Sequence, residues 1–108
     1  MTAIIDDWKM KQEITVEKLA ALSPDEVYLV DIRDEVAFER GSLPGAQNLN
    51  PLELQQGGYD LPEEKLIVCI CMWGKISLGL AQNLREQGYA AVSLQGGYSL
   101  WLQRKLER

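Results

Sequence analysis

Leu66-Ile67-Val68-Cys69-Ile70-Cys71, running on into Met72-Trp73-Gly74-Lys75-Ile76-Ser77, decides how this chain folds. The first six residues are its most apolar strand candidate, and residues 72–76 after them lead into a long helix that begins near Ser77. That helix buries Leu80, Ala81 and Leu84 and ends at Gly88. A buried strand passing through a short loop into a helix is the unit from which α/β domains with mainly parallel sheets are assembled.

The same alternation extends in both directions. Val27-Tyr28-Leu29-Val30-Asp31-Ile32 is a near-continuous apolar run, as expected of a strand covered on both faces, and it ends in charge at Arg33-Asp34. Before it, Thr15 is placed to cap a helix over residues 16–22, with Val16, Leu19, Ala20 and Leu22 on one side and Ser23-Pro24-Asp25 as its stop. After it, residues 34–40 read as a short helix with acid in the first turn, a basic residue in the last and Gly41 just past the end. Pro44-Gly45 marks a turn, residues 46–49 a brief strand, and residues 55–64, with Gly57-Gly58 and Pro62, a surface loop. Beyond the long helix, residues 91–94 form a last strand and Gly96-Gly97 a turn. Residues 98–108 then form a final helix with Leu100, Trp101 and Leu106 packed inward.

A chain of 108 residues suits one domain, residues 1–108 with a core over about 14–106, and its apolar fraction of 46% supports a packed interior. Sixteen acidic residues against 11 basic ones leave a net charge of -5, which argues against attraction to phosphate backbones or anionic membrane surfaces. Nucleic acid and membranes are therefore unexpected partners. No apolar run approaches the roughly 20 residues of a membrane helix, and Met1 to Lys11 has neither a basic start nor an apolar signal core, so a cytoplasmic protein is expected.

The chain has two cysteines and no histidine. A zinc site lacks ligands, and nucleophiles activated by imidazole are ruled out, so any nucleophile needs another means of activation. Cys69 and Cys71 lie two apart on a strand, where side chains point the same way; they suit neither a structural disulfide nor a Cys-x-x-Cys redox pair. Cys69, inside the apolar run, reads as core. Cys71, at the strand's end and before a helix, falls outside the carboxyl edge of the sheet, where open α/β folds bind ligands.

An ordinary thiol with a pKa near 8.5 is only about 3% thiolate at pH 7, whereas one at about 6.5 is roughly three-quarters ionised. The helix N-terminus and the backbone N–H groups of the loop from Met72 to Ser77 supply the means for such a shift, with Lys75 as an added charge. Gly74 lets the backbone curl around the sulfur with no side chain in the way. The competing reading of Cys71 is a small buried apolar residue.

Other chemistries fit poorly. A nucleotide-binding loop fails because Ile76 replaces its Ser/Thr and Cys69 its first glycine. A cysteine phosphatase needs an arginine six positions after the nucleophile, where this chain has Ser77. Trp73 reads as a lid or interface residue, or as one that narrows the pocket or meets a partner protein. Asp31 and Arg33 read as a strand-end ion pair that fixes the loop rather than as a catalytic pair, and Gly96-Gly97 and Trp101 as structural.

Two blocks of residues resemble the rhodanese family. The first is Asp31-Ile32-Arg33, Phe38 and Gly41-Ser42-Leu43-Pro44-Gly45-Ala46-Gln47-Asn48-Leu49; the second is Cys71-x-x-Gly74, Gly88-Tyr89, Leu94-x-Gly96-Gly97 and Trp101. Together they span about residues 14–102 in the family's order. The resemblance implies a rhodanese-like α/β fold, with a central, mainly parallel five-stranded sheet, helices on both faces, and an active cysteine after the fourth strand. It implies a sulfurtransferase whose Cys71 takes a sulfane sulfur from thiosulfate or a persulfide donor and passes it to a thiol or cyanide acceptor. On that reading Cys71 is catalytic, Met72, Trp73, Gly74, Lys75, Ile76 and Ser77 bind substrate, Asp31 and Arg33 support them, and no metal or organic cofactor takes part.

The chain departs from the family pattern at Ile76, where arginine is common, at Ser42 in place of histidine, and at Ala37 in place of glutamate. Without a guanidinium at 76 the loop offers thiosulfate only the point charge of Lys75, which favours a protein persulfide as donor. The alternative to an enzyme is a regulatory binding module that uses the 71–77 loop, through Met72 and Trp73, to recognise a partner protein.

Overall fold

The computed structural model describes residues 3–107. Met1, Thr2 and Arg108 lie outside the described residues, and with them the start of the stretch read for a leader and the last residue of the expected final helix. Five parallel strands form one sheet: β1 (Glu13–Ile14), β2 (Val27–Asp31), β3 (Gln47–Asn48), β4 (Leu66–Ile70) and β5 (Ala91–Leu94). Their order is β1-β5-β4-β2-β3, so β4 is central and its five residues are all buried.

The two faces of β4 are sorted by the alternation of a strand. Ile67 and Cys69, with Cys71 beyond the strand's end, join Val30, Ile32, Leu54 and the α5 (Ile76–Glu86) residues Leu80, Ala81 and Leu84 in one core cluster. Leu54 belongs to α4 (Pro51–Gln55). Leu66, Val68 and Ile70 join Ile14, Val16, Val92 and Leu94 in the other, which is covered by α1 (Ala3–Trp8), α2 (Val16–Ala21) and α6 (Gly97–Leu106). Each such fully buried side chain stabilises the fold by roughly 1.5–3 kcal/mol relative to exposure. The apolar run is continuous because both faces are covered.

The expected cap of α2 is present: Thr15 accepts from Lys18 N at 3.1 Å. Asp34, expected as the first residue of the next helix, instead caps it, accepting from Ala37 N at 2.8 Å at the start of α3 (Glu35–Arg40). Several features depart from expectation. The short helices α1 and α4 went unread, α4 being opened by Asn50, whose side chain accepts from Leu52 N and Glu53 N. Leu106, expected to pack inward, is 74% exposed. The α6 residues that meet the core are Tyr98, Leu100 and Trp101, and the helix runs past them for another turn. Gly97, read as part of a turn, is the first residue of α6, and the 55–64 loop sends Leu61 into the core.

Candidate active site

Cys71 is the first residue after β4, and the chain turns at Gly74 before α5 begins. Gly74 has φ +83°, and a Cβ there would lie 2.8 Å from Gly96 N and 2.9 Å from Leu94 O; only glycine fits. Gly97 closes the other side, since a Cβ on it would run into the carbonyl oxygens of Cys71 and Met72. The amides of Tyr98 and Ser99, at the start of α6, donate to those two carbonyls at 2.9 and 3.0 Å. The start of α6 thus fixes the outer edge of the loop, leaving its inner amides to face the sulfur.

The Cys71 sulfur accepts from Gly74 N at 3.1 Å and from Ser77 N at 3.4 Å, and the Ser77 hydroxyl lies 3.2 Å away. Lys75 sits at the cap position of α5 without a side-chain capping bond, so the sulfur takes the place of a capping oxygen at this helix start. Burial to 6% exposure would by itself push the thiol up, yet its pKa lies below the ordinary value. The Ser77 hydroxyl and the amides of Ser77, Gly74 and Trp73 favour the anion and outweigh burial.

Behind Ser77 stands Ser93 of β5, with the two hydroxyl oxygens 2.6 Å apart and both residues fully buried. Ser93 also reaches Gly74 O at 3.4 Å. Sequence reasoning missed Ser93; its signal was a hydroxyl standing alone in the apolar strand Ala91-Val92-Ser93-Leu94.

The remaining loop residues diverge from the sulfur. Met72, Trp73 and Ile76 are exposed, Trp73 at 66% and Ile76 at 74%, and Lys75 is exposed too. Met72 and the exposed Val36 border a cavity of about 340 Å³ that reaches Arg33, Arg40 and Tyr98. Ile76 and the exposed Leu52 border another of about 480 Å³.

Asp31 and Arg33 form a network of their own at the end of β2. Asp31 is fully buried; Arg33 donates to it from Nε at 3.0 Å and from its terminal nitrogen at 2.7 Å, and Ser42 donates at 2.6 Å. Burial pushes the Asp31 carboxyl up, but the bonds from Arg33 and Ser42 prevail and hold it below the usual value. Arg33 also donates to Gly41 O at 2.5 Å and lies 4.0 Å over the ring of Tyr98. This pair therefore ties the turn after α3 to the helix that grips the Cys71 loop. Ser42 serves as the hydroxyl donor to the carboxylate.

The profile of the Rhodanese-like domain family matches residues 15–104. The chain is 38% identical over 74 residues to the tRNA sulfurtransferase of Desulfurococcus amylolyticus, covering 68% of this chain but 14% of that protein. It is 30% identical over 86 residues to the thiosulfate sulfurtransferase GlpE of Pseudoalteromonas translucida, covering 79% and 82%. Among solved structures, the human single-domain sulfurtransferase TSTD1 superposes with a TM-score of 0.75 at 26% identity, covering 85% of this chain and 96% of that one.

Proposed function

We propose, on the premise that this chain belongs to the rhodanese-like domain family, that it is a sulfurtransferase carrying sulfur as a persulfide on Cys71. The single observation that carries the reading is the convergence of the Gly74 and Ser77 amides and the Ser77 hydroxyl on one sulfur. Such donors stabilise an anion without imidazole or metal, and they are in place before the reaction begins.

The Cys71 thiolate attacks the outer sulfur of a sulfane donor. A new sulfur–sulfur bond forms, the donor's own sulfur–sulfur bond breaks, and its electron pair leaves as a thiolate, or as sulfite when thiosulfate is the donor. An acceptor thiolate, or cyanide, then attacks the outer sulfur of the persulfide, and the Cys71 thiolate departs. No net oxidation of the protein occurs. The loop amides serve the anion at both ends of the cycle.

Ile76 sets the donor preference. At this position the chain presents an exposed apolar side chain, and Lys75 is exposed to solvent, where a point charge is screened. Thiosulfate is accordingly a weak donor, and a persulfide borne by a protein a stronger one. The exposure of Met72, Trp73 and Ile76 around a nearly buried sulfur favours a second reading as well, a module that binds a partner protein through this rim.

Intact-mass analysis after exposure to thiosulfate and, separately, to a persulfide donor tests the proposal. A gain of one sulfur that disappears in Cys71→Ser is expected, larger with the persulfide donor. No gain with either donor leaves the binding module as the surviving account.

A further inference from the structure

We infer that Ser93 is a positioning residue for the Cys71 sulfur, acting through Ser77 in a chain of hydroxyls that reverses direction when the thiol loses its proton. The inference rests on Cys71 being the reacting group. Its basis is a count of hydrogens in a closed space. Each serine hydroxyl has one hydrogen to give and two lone pairs with which to accept. Three contacts compete for the two hydrogens: Ser77 Oγ to Cys71 Sγ at 3.2 Å, Ser77 Oγ to Ser93 Oγ at 2.6 Å, and Ser93 Oγ to Gly74 O at 3.4 Å.

An anionic sulfur only accepts, so in the thiolate Ser77 turns its hydrogen to Cys71. Ser77 then has none for Ser93, and the 2.6 Å contact requires Ser93 to donate to Ser77. Both hydrogens point toward the charge, and the short bond between the hydroxyls polarises the one that meets sulfur. In the thiol the order runs the other way. The S–H gives to Ser77, Ser77 gives to Ser93, and Ser93 falls back on the long contact with Gly74 O. Both arrangements use the 2.6 Å contact, but the thiolate exchanges a weak S–H donor bond and the long contact with Gly74 O for a charge-assisted O–H bond to sulfur, so Ser93 favours the reactive form. The serines make and break no covalent bond; the proton leaves Cys71 for a base in solvent, and two hydroxyls rotate.

Strand register sets up this arrangement. Cys69 pairs with Ser93 across β4 and β5, which puts the Ser93 side chain on the α5 face, beneath the loop. The ionisable groups on the elements packed there are few. Cys69 of β4 is pushed up to about 12, Arg85 of α5 donates to Ala91 O, Lys75 is exposed, and Tyr98 of α6 lies under Arg33, which is itself paired with Asp31.

The test is the pH dependence of Cys71 alkylation by iodoacetamide, followed by intact mass, in the wild type, Ser93→Ala, Ser77→Ala and the double variant. Ser93→Ala is expected to raise the midpoint by about half a pH unit, roughly a threefold loss of thiolate at neutral pH. Ser77→Ala should raise it further, and adding Ser93→Ala to Ser77→Ala should change nothing more, since Ser93 acts only through Ser77. An unmoved midpoint in Ser93→Ala, or additive shifts in the double variant, overturns the inference. If Ser93→Ala does not fold, Ser93→Thr, which keeps the hydroxyl, is compared with Ser93→Val, which lacks it. A higher midpoint in the valine variant supports the relay, and equal midpoints overturn it. The two readings fail separately: a midpoint that moves without any sulfur gain removes the transfer activity alone, and a sulfur gain with an unmoved midpoint removes the relay alone.

Discussion

Cys69 and Cys71 stand two residues apart, point to the same face of the sheet and share one core cluster, yet their thiols are shifted in opposite directions. Cys69, in the body of β4, is fully buried and pushed up to about 12, with burial the dominant cause. Cys71 is buried to 6% exposure and is held below its ordinary value. The contrast shows that burial alone does not set a thiol's pKa. Inside the strand the backbone N–H groups are engaged in pairing with β2 and β5; one step past the strand's end they are free to turn toward a side chain.

The largest test of that contrast is substitution at each site. Cys71→Ser should lower sulfur transfer to background, a loss of about 10³-fold or more, whereas Cys69→Ala should retain transfer and chiefly cost stability, about 1–2 kcal/mol in a denaturant titration. Equal losses in transfer would end the distinction. The next largest effect is at the turn that aims the amides. Gly74→Ala forces a Cβ against backbone atoms of Gly96 and Leu94 at a positive φ, and should cost about 2–4 kcal/mol while raising the alkylation midpoint of whatever folds.

The opposed shifts also predict opposite pH trends. Cys71, lowered in the fold, adds stability that is full above the ordinary thiol value and is lost as pH falls through its folded value. Cys69, raised in the fold, adds stability that is full below the ordinary thiol value and is lost as pH rises from there toward about 12. Urea titrations from pH 7 to 10 should therefore show Cys71→Ser losing ground to the wild type with rising pH and Cys69→Ala gaining it, each by at most about 1.4 kcal/mol per pH unit. The smallest effect is expected at the rim. Trp73→Ala should leave stability within about 0.5 kcal/mol and the Cys71 midpoint in place, because the side chain is 66% exposed. A large change in either would show that Trp73 shapes the sulfur's surroundings.

Much of this was legible because it is local. The apolar run of β4, the glycine at 74 and the helix start after it are consecutive, and their meaning follows from chain order. The Asp31–Arg33 pair was readable for the same reason, its members two residues apart at a strand end. What could not be read depends on residues far apart in the chain. Ser93 matters because strand register lays it beneath a loop 16 residues earlier. Gly97 reads as a turn until its contact with the Cys71 and Met72 carbonyls is seen. The helices α1 and α4, of 6 and 5 residues, are too short to show a period. Leu106 comes six and five residues after Leu100 and Trp101, off the face those two share, so the last turn of α6 carries it into solvent.

The grip of α6 on the loop has a consequence for biosynthesis. A ribosome releases Cys71 well before Gly97, Tyr98 and Ser99, the residues whose backbone completes the loop. Until they emerge, the nascent chain carries an unshaped thiol with no assembled cradle of amides, and so with the low reactivity of any unfolded cysteine at neutral pH. The lowered pKa of Cys71 is therefore a property of the completed fold, acquired when α6 docks.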